Sequence, residues 1–346
     1  MPRLNATSLS VLVLSCAQPA PVPRPEGALR EVTFDRYSPY SRNQEIARRT
    51  LTPLTLRYGQ QMLQTTGQVF RDQPIDLSKE RFTLYVPGVA PKDGYGLLVF
   101  IAPWNEPTRP QLWRLPLDRH GLIFVSAANS GNEAKILDRR LPLALLAYEN
   151  VRALYPIDPK RVYVGGLSGG SRAAEMTALA YPDVFHGALL NAGSDPIGGE
   201  AGIYLPPAEL FHRFQQTRLV YVTGESDELN LRDDQISRGS MRDWCVFDIS
   251  ILNARKLGHE PLDQPSLNRA LDALEQPAAT DADKLARCNA RVQQELTARL
   301  SEAGAAIARG DRDAARAQLR NIDARYGGLA APAILDLDAR ISSERR

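Results

Sequence analysis

Short apolar runs, separated by polar and proline-containing stretches, dominate the middle of the chain. Apolar runs, typical of strands covered by helices on both faces, occur at residues 96–101, 121–125, 188–190 and 219–222, and residues 161–164 are also predicted to form a strand. Residues 81–87 alternate between apolar and polar positions and end at a proline, which indicates an outer strand. Residues 245–251, although more polar, are expected to form the last strand.

Apolar positions with helical spacing lie between these strands. In residues 138–155 they fall near one face of a helix, at Leu141, Leu145, Tyr148, Val151 and Leu154. Helices are also predicted at residues 171–181 and after residue 264. Strands that alternate with helices in this way predict an α/β fold, with a mostly parallel sheet and helices on both faces.

The segments on either side of this region have different patterns. Residues 1–28 form a leader, and residues 29–80 are expected to pack as an N-terminal extension on a catalytic domain at 81–276. After a linker at 277–283, the chain carries three amphipathic stretches. We therefore expect a C-terminal α-helical extension at 284–346.

Composition and charge exclude several classes of partner. Hydrophobic residues make up 43% of the 346 residues and charged residues 24%, as in ordinary globular proteins. The formal net charge of +2 gives no reason to expect nucleic acid or an anionic membrane surface as a partner. No apolar run reaches the length of a transmembrane helix.

The leader has the pattern of an export signal. Arg3 supplies a positive charge, residues 9–14 form a short apolar core, and a proline-rich stretch follows Cys16. Residues 13–16 resemble a bacterial lipobox, which would make Cys16 a site of lipidation and membrane anchoring. The alternatives are an ordinary cleaved signal and a leader with an incidental cysteine. We expect export to the periplasm or cell envelope, or secretion.

Two further cysteines, Cys245 and Cys288, form an even pair. In an exported protein such a pair predicts a disulfide bond, because oxidising compartments allow disulfides to persist. Two buried free thiols are the alternative for a cytosolic chain.

The pentapeptide Gly-Leu-Ser-Gly-Gly at residues 166–170 lies between a predicted strand and a predicted helix. This is the context of a nucleophile elbow, a sharp turn that lifts a serine hydroxyl clear of the sheet toward a base and a substrate carbonyl. The turn needs small neighbours, which Gly166 and Gly170 provide. The helix that follows points its first amides at a developing oxyanion, so Ser168 is the predicted nucleophile. The alternative is an ordinary glycine-rich loop.

The chain has four histidines, so a general base can be chosen by elimination. His120 and His186 precede strands, whereas active sites of open parallel sheets lie at the carboxyl ends of strands. His212 lies in an amphipathic stretch and is expected at the surface or in packing. His259 follows the last predicted strand and comes after the serine, which makes it the predicted base. A loop histidine without a role is the alternative.

The acid that orients this base should follow a strand between the serine and the histidine. Asp227 lies just after the apolar run at 219–222 and is the predicted acid. Glu225 is a close alternative and Asp195 a more distant one.

Two backbone amides are needed to bind the oxyanion. Gly169, directly after the nucleophile, is predicted to supply one of them, and the loop after residues 96–101 the other. In that loop Pro103 has no N–H, so Trp104 is the predicted second donor and Asn105 the alternative.

Metal and cofactor chemistry is not indicated by any motif. No Cys/His spacing suits a structural zinc, and residues 165–170 lack the Lys-Ser/Thr ending of a phosphate loop. We therefore expect neither a cofactor nor a metal.

The residues around the elbow carry a more specific resemblance. Residues 155–164 read Tyr-Pro-Ile-Asp-Pro-Lys-Arg-Val-Tyr-Val, and Tyr-Pro-Asp-Val-Phe at 181–185 closes the helix after the elbow. In these motifs the chain resembles the α/β-hydrolase superfamily, in particular the branch of polyhydroxyalkanoate depolymerases and feruloyl esterases, with prolyl-oligopeptidase-like hydrolases nearby. The resemblance covers residues 81–275 but neither 29–80 nor 284–346.

This resemblance implies an α/β-hydrolase fold with Ser168 as nucleophile, Asp227 as acid and His259 as base. The chain departs from the branch at residues 102–104, where Ala-Pro-Trp stands in place of the usual His-Gly pair.

We interpret the chain as an exported serine hydrolase that cleaves a carboxylic ester through an acyl-enzyme. A serine peptidase with the same three residues, or a binding protein whose catalytic site has lapsed, are the alternatives. Apolar residues near the expected site, Leu167, Trp104 and Leu257, predict a small-molecule or polymeric ester with a neutral, partly apolar acyl group. Arg172 is nearby but is expected to face solvent or a structural carboxylate.

Overall fold

One eight-stranded sheet forms the centre of the molecule. A computed structural model describes residues 27, 29–68, 72–106, 108–199, 201–276, 278 and 281–343. The strands are β1 (Leu29–Val32), β2 (Phe82–Tyr85), β3 (Tyr95–Ile101), β4 (Leu122–Ala127), β5 (Ile157–Leu167), β6 (Gly187–Asn191), β7 (Arg218–Gly224) and β8 (Ile249–Ala254). The predicted signal segment and Cys16 lie outside the described residues.

The order of the strands in the sheet identifies the fold. Neighbouring strands follow the order β1-β2-β4-β3-β5-β6-β7-β8. Strand β2 runs antiparallel to both of its neighbours, and the pairs from β4 through β8 are parallel. A sheet in this order, with a serine-bearing turn after the fifth strand, is the α/β-hydrolase fold. The fold class predicted from the sequence is therefore confirmed.

Eleven α-helices lie in the part of the chain that the structure describes. They are α1 (Asn43–Thr50), α2 (Pro53–Thr66), α3 (Arg114–His120), α4 (Leu141–Leu154), α5 (Gly169–Ala180), α6 (Ala208–Phe214), α7 (Glu228–Asp243), α8 (Gln264–Glu275), α9 (Ala282–Ala308), α10 (Arg312–Tyr326) and α11 (Ala333–Ser343). None of the helices in the described ranges combines the length and the apolar character needed to cross a bilayer.

Helices cover both faces of the sheet, which explains the continuous apolar runs. In β3, Leu97 and Val99 face a core that includes α4 and α5, whereas Leu98 and Phe100 face a second core formed with α3 and α8. All four side chains are almost completely buried. Burial on both faces removes the polar positions that a half-exposed strand would show.

The N-terminal extension, residues 29–68 and 72–80, adds an edge strand and two helices that the sequence pattern did not predict. Strand β1 pairs with β2, and α1 is anchored by the buried side chain of Arg49. This guanidinium donates two hydrogen bonds to the carboxylate of Asp183, at 2.6 and 2.9 Å, and lies over the ring of Tyr181. A bidentate, buried ion pair of this kind fixes the helix in orientation as well as in place.

The C-terminal helices α9 to α11 are present, as the sequence predicts. The ring of Tyr326 at the end of α10 packs edge-on against Trp244, with ring centroids 5.6 Å apart. A disulfide joins Cys245, just after α7, to Cys288 in α9, as the pairing of the cysteines predicts. On α11, Asp338 accepts a hydrogen bond of 2.7 Å from Tyr58 on α2, so the two extensions contact each other.

The region before the last strand differs from the prediction. A strand was expected at residues 245–251, but β8 begins at Ile249 and ends at Ala254. Cys245 and Val246 are fully buried where the chain leaves α7, and Cys245 has a positive φ of 67°. The apolar character of these positions therefore reflects packing of a turn rather than a strand, and the predicted start of the strand is wrong.

Candidate active site

Ser168 lies on the sharp turn between β5 and α5. Its backbone has φ 56° and ψ −126°, a conformation that residues other than glycine rarely adopt. A Cβ atom on Gly166 would overlap the backbone of Gly170, and one on Gly170 would overlap the carbonyl of Ile101. Both glycines are therefore required by close backbone contacts, which hold the serine at the carboxyl end of the sheet.

Three side chains predicted from the sequence lie in one hydrogen-bonded row. The Nε2 atom of His259 lies 2.9 Å from the Oγ atom of Ser168, and its Nδ1 atom lies 2.6 Å from Oδ2 of Asp227. His259 follows β8 and Asp227 follows β7, so parallel strands bring the three together at one edge. The imidazole can accept the serine proton on one nitrogen while the carboxylate accepts from the other.

Asp227 is buried and is the N-cap of α7. Its carboxylate accepts hydrogen bonds from the side-chain amide of Asn230, at 2.9 Å to each oxygen, as well as from His259. Burial alone would raise the pKa of Asp227, but the hydrogen bonds from His259 and Asn230 outweigh it and lower the pKa. The group therefore stays ionised, which is the state needed to stabilise an imidazolium.

The two alternative acids lie elsewhere. Glu225 is exposed, and its Oε1 atom accepts a hydrogen bond of 2.8 Å from the backbone N–H of Lys256. Asp195 accepts from Nε of Arg172 at 3.0 Å. The described polar contacts of His259 are with Asp227, Asn230 and Ser168, and include neither alternative.

The sequence analysis did not identify Asn230, which donates to Asp227 and also lies beside His259. Its Nδ2 atom also lies 3.1 Å from Nδ1 of His259, and its Oδ1 atom is 3.5 Å from Nη2 of Arg172. Arg172 is held in turn by Asp195 and Asp233, so it faces structural carboxylates as expected. An Asn three residues after a helix N-cap could have signalled the contact, because N-cap and N3 side chains face each other.

The predicted oxyanion donors lie on two adjacent segments. Gly169 is the first residue of α5, where a backbone N–H has no acceptor within the helix. The close contact of Gly170 with Ile101 brings this helix end against the loop that carries Trp104. The alternative donor, Asn105, uses its side-chain oxygen to accept from the N–H of Gly131, at 3.2 Å.

The remaining histidines have other surroundings. His120 is buried and its Nδ1 atom lies 2.7 Å from Glu275, while His212 is exposed on α6. His186 directly precedes β6 and is exposed, and partial desolvation by the groups around it lowers its pKa. Among the described residues there is no group of three or more His, Cys, Asp or Glu side chains suited to a metal ion.

Comparisons with known proteins give one local match in sequence. No family model matches the chain. Poly(3-hydroxyalkanoate) depolymerase C of Paucimonas lemoignei is 51% identical over 45 residues. That match spans 13% of this chain and 11% of the depolymerase.

Solved structures that resemble the chain are distant in sequence. A ferulic acid esterase is 16% identical, with 57% of this chain and 93% of that chain covered and a TM-score of 0.42. Est1E from Butyrivibrio proteoclasticus is 13% identical, with 57% of this chain and 92% of Est1E covered and a TM-score of 0.41. Dipeptidyl peptidase 4 of Porphyromonas gingivalis is 13% identical, with 57% of this chain and 34% of the peptidase covered and a TM-score of 0.41. Since these TM-scores are low, the fold assignment rests on the strand order of the chain itself.

Proposed function

We propose that the chain is a serine hydrolase that cleaves carboxylic esters through an acyl-enzyme. The observation that carries this proposal is the hydrogen-bonded row of Ser168, His259 and Asp227 on a strained turn after β5. A weak hydroxyl nucleophile needs a base within hydrogen-bond reach and a third group that orients the base, and all three parts are in contact.

In the acylation step, Oγ of Ser168 attacks the carbonyl carbon of the ester and its proton passes to Nε2 of His259. The oxygen of the tetrahedral intermediate accepts hydrogen bonds from the backbone amides of Gly169 and Trp104. His259 then returns its proton to the departing alcohol. Water repeats the sequence on the acyl-enzyme, releases the acid and restores the serine, while Asp227 stabilises the imidazolium in both halves.

The charges around the site support a neutral acyl group. Arg172 lies in the first turn of α5, and Asp195 and Asp233 already form ion pairs with its guanidinium. An apolar side chain, Leu229, is largely exposed two residues after Asp227. The local similarity to a poly(3-hydroxyalkanoate) depolymerase is in keeping with a polymeric or small ester. We propose no role for nucleic acid.

The same proposal includes export from the cytoplasm. The disulfide between Cys245 and Cys288 favours a compartment that oxidises thiols. The leader motif and Cys16 lie outside the described residues, and their role in secretion or lipid anchoring stays a prediction.

Replacement of the nucleophile tests the proposed function. We expect Ser168→Ala to abolish covalent labelling by a fluorophosphonate and to lower kcat on short aryl esters by at least about a thousandfold. Thermal unfolding should be unchanged, and Ser301→Ala on the exposed face of α9 serves as the control. A panel of esters, phosphoesters and peptides completes the experiment. Equal ester hydrolysis by wild type and Ser168→Ala would refute the proposal, and peptide cleavage without ester turnover would make the protein a peptidase.

A further inference from the structure

The side chain of Asn132 occupies the space that a side chain at position 169 would fill. A Cβ atom built on Gly169 would overlap Oδ1 of Asn132, and it would lie 3.0 Å from Cγ and 3.4 Å from Nδ2. The φ of Gly169 is not in the left-handed region, so the backbone itself would accept alanine there. The glycine directly after the nucleophile therefore leaves room for this carboxamide.

Asn132 is held in the same framework as the predicted oxyanion loop. Its backbone N–H donates to the carbonyl of Pro103 at 3.0 Å. Two further bonds join the segments, because Asn105 accepts from the N–H of Asn129 at 2.7 Å and from Gly131 at 3.2 Å. The loops after β3 and β4 thus form one unit that meets the first residue of α5.

The carboxamide of Asn132 is exposed and, among the described residues, makes no side-chain hydrogen bond. Pro103 cannot donate a backbone hydrogen bond, so the loop after β3 offers one amide fewer than it otherwise would. A side-chain donor beside Gly169 would compensate for that loss. Rotation about the last side-chain bond turns either Nδ2 or Oδ1 toward the cleft, and a negatively charged oxygen selects Nδ2 because only the nitrogen donates.

We propose that the side-chain amide of Asn132 is a third donor to the oxyanion, beside the amides of Gly169 and Trp104. This inference rests on the proposed function, since it concerns the tetrahedral intermediate of the same reaction. Asn132 would then be a catalytic residue that contacts the reacting oxygen, and its contribution would be larger in the transition state than in the bound substrate.

Kinetics of three variants test the proposal. We expect Asn132→Ala to lower kcat on an aryl ester about a hundredfold, with KM changed less than about threefold. Asn132→Asp should be slower still, because a carboxylate repels the oxyanion. Affinity for a boronic acid that mimics the tetrahedral state should fall together with kcat. Asn321→Ala, an exposed asparagine on α10, is the matched control and should behave as wild type.

The overlap at position 169 provides a second, independent measurement. Gly169→Ala should displace the carboxamide and reduce kcat about as much as Asn132→Ala, while the double variant should be no slower than either single one. Additive losses in the double variant would overturn the inference. So would wild-type kcat in both Asn132 variants, and these outcomes leave the proposed function intact. If Ser168→Ala hydrolyses esters as fast as wild type, the proposed function fails and this inference fails with it.

Discussion

The carboxylate of Asp227 receives more hydrogen bonds than a surface carboxylate would. It closes the first turn of α7 as the N-cap, accepts the amide of Asn230 on both oxygens and accepts from His259. The positive end of the helix also favours its charge. Glu225, two residues earlier, has none of these contacts, and its side chain instead accepts a hydrogen bond from the backbone N–H of Lys256.

This difference between two neighbouring carboxylates can be measured directly. We expect Asp227→Asn to lower kcat about a thousandfold or more, because an amide cannot hold the imidazole in the required tautomer. Glu225→Gln should leave kcat within a fewfold of wild type. Steady-state hydrolysis of one ester by the two variants is sufficient, and a larger loss in the Glu225 variant would show that the roles are reversed.

The three residues of the proposed catalytic site could be predicted from the sequence, but the asparagines that contact them could not. Ser168 is marked by its glycines and His259 by its position after the last strand. Asn132 has no such mark, because an asparagine in a loop is common, and the position of Asn230 three residues after the N-cap is informative only once the start of α7 is known. Their contacts depend on how α7 and the loop after β4 approach the elbow, and this is a property of the packed structure.

At the scale of elements, α7 shows why a helix at the active site was missed. Its buried positions Asn230, Asp234, Ser237 and Met241 recur at helical spacing, but three of the four are polar. Asp234 accepts from Ser194 and Thr223, and Ser237 donates to Glu175 on α5. Periodicity of apolar residues cannot detect a helix that is packed through hydrogen bonds. Strands β3 to β7 and helix α4, by contrast, bury apolar side chains and were predicted.

The contact between α7 and α5 includes a buried carboxyl group, Glu175, which makes the free energy of unfolding depend on pH. Glu175 is completely buried, and burial raises its pKa well above that of an exposed glutamate. Because the pKa of Glu175 is higher in the folded state than in the unfolded state, its contribution to the free energy of unfolding is fully present below the unfolded-state pKa of about 4.3. That stability is lost as pH rises through the folded-state value.

Replacement of this carboxyl by an amide should remove that dependence. We expect the Tm of Glu175→Gln to increase relative to that of wild type as pH is raised from about 4.5 to 8.5, because the neutral amide has no buried charge to form at high pH. Thermal unfolding at a series of pH values measures this difference. Glu302→Gln on the exposed face of α9 is the control. A constant difference between Glu175→Gln and wild type across the range would contradict the expectation.

At the scale of the whole molecule, the two extensions lie outside the region that carries the family resemblance, yet they are tied to it. Arg49 anchors α1 to Asp183, and Tyr326 packs α10 against Trp244. The sequence predicted the C-terminal helices because their faces are amphipathic. It did not predict α1, a helix of eight residues with two buried apolar positions, Ile46 and Ala47, or α2, most of whose residues are exposed.

The covalent tie between α9 and the end of α7 should contribute to stability. Closing a loop with a sequence separation of 43 residues is worth about 4 kcal/mol in the chain-entropy model. We expect the double variant Cys245→Ala/Cys288→Ala to have a free energy of unfolding lower by up to about this amount, measured in urea. Wild type treated with a reductant should approach the same value. Two freely alkylatable thiols in untreated wild-type protein would contradict the bond.

The position of the disulfide also determines how the molecule transmits mechanical load. Tension applied between the two ends of the chain would travel along the backbone to Cys245, cross the sulfur bridge and continue from Cys288 into α9. The residues between the two cysteines, which include β8, His259 and α8, would carry no tension. The base of the proposed reaction therefore lies in a segment that pulling on the termini cannot stretch until the bridge is reduced.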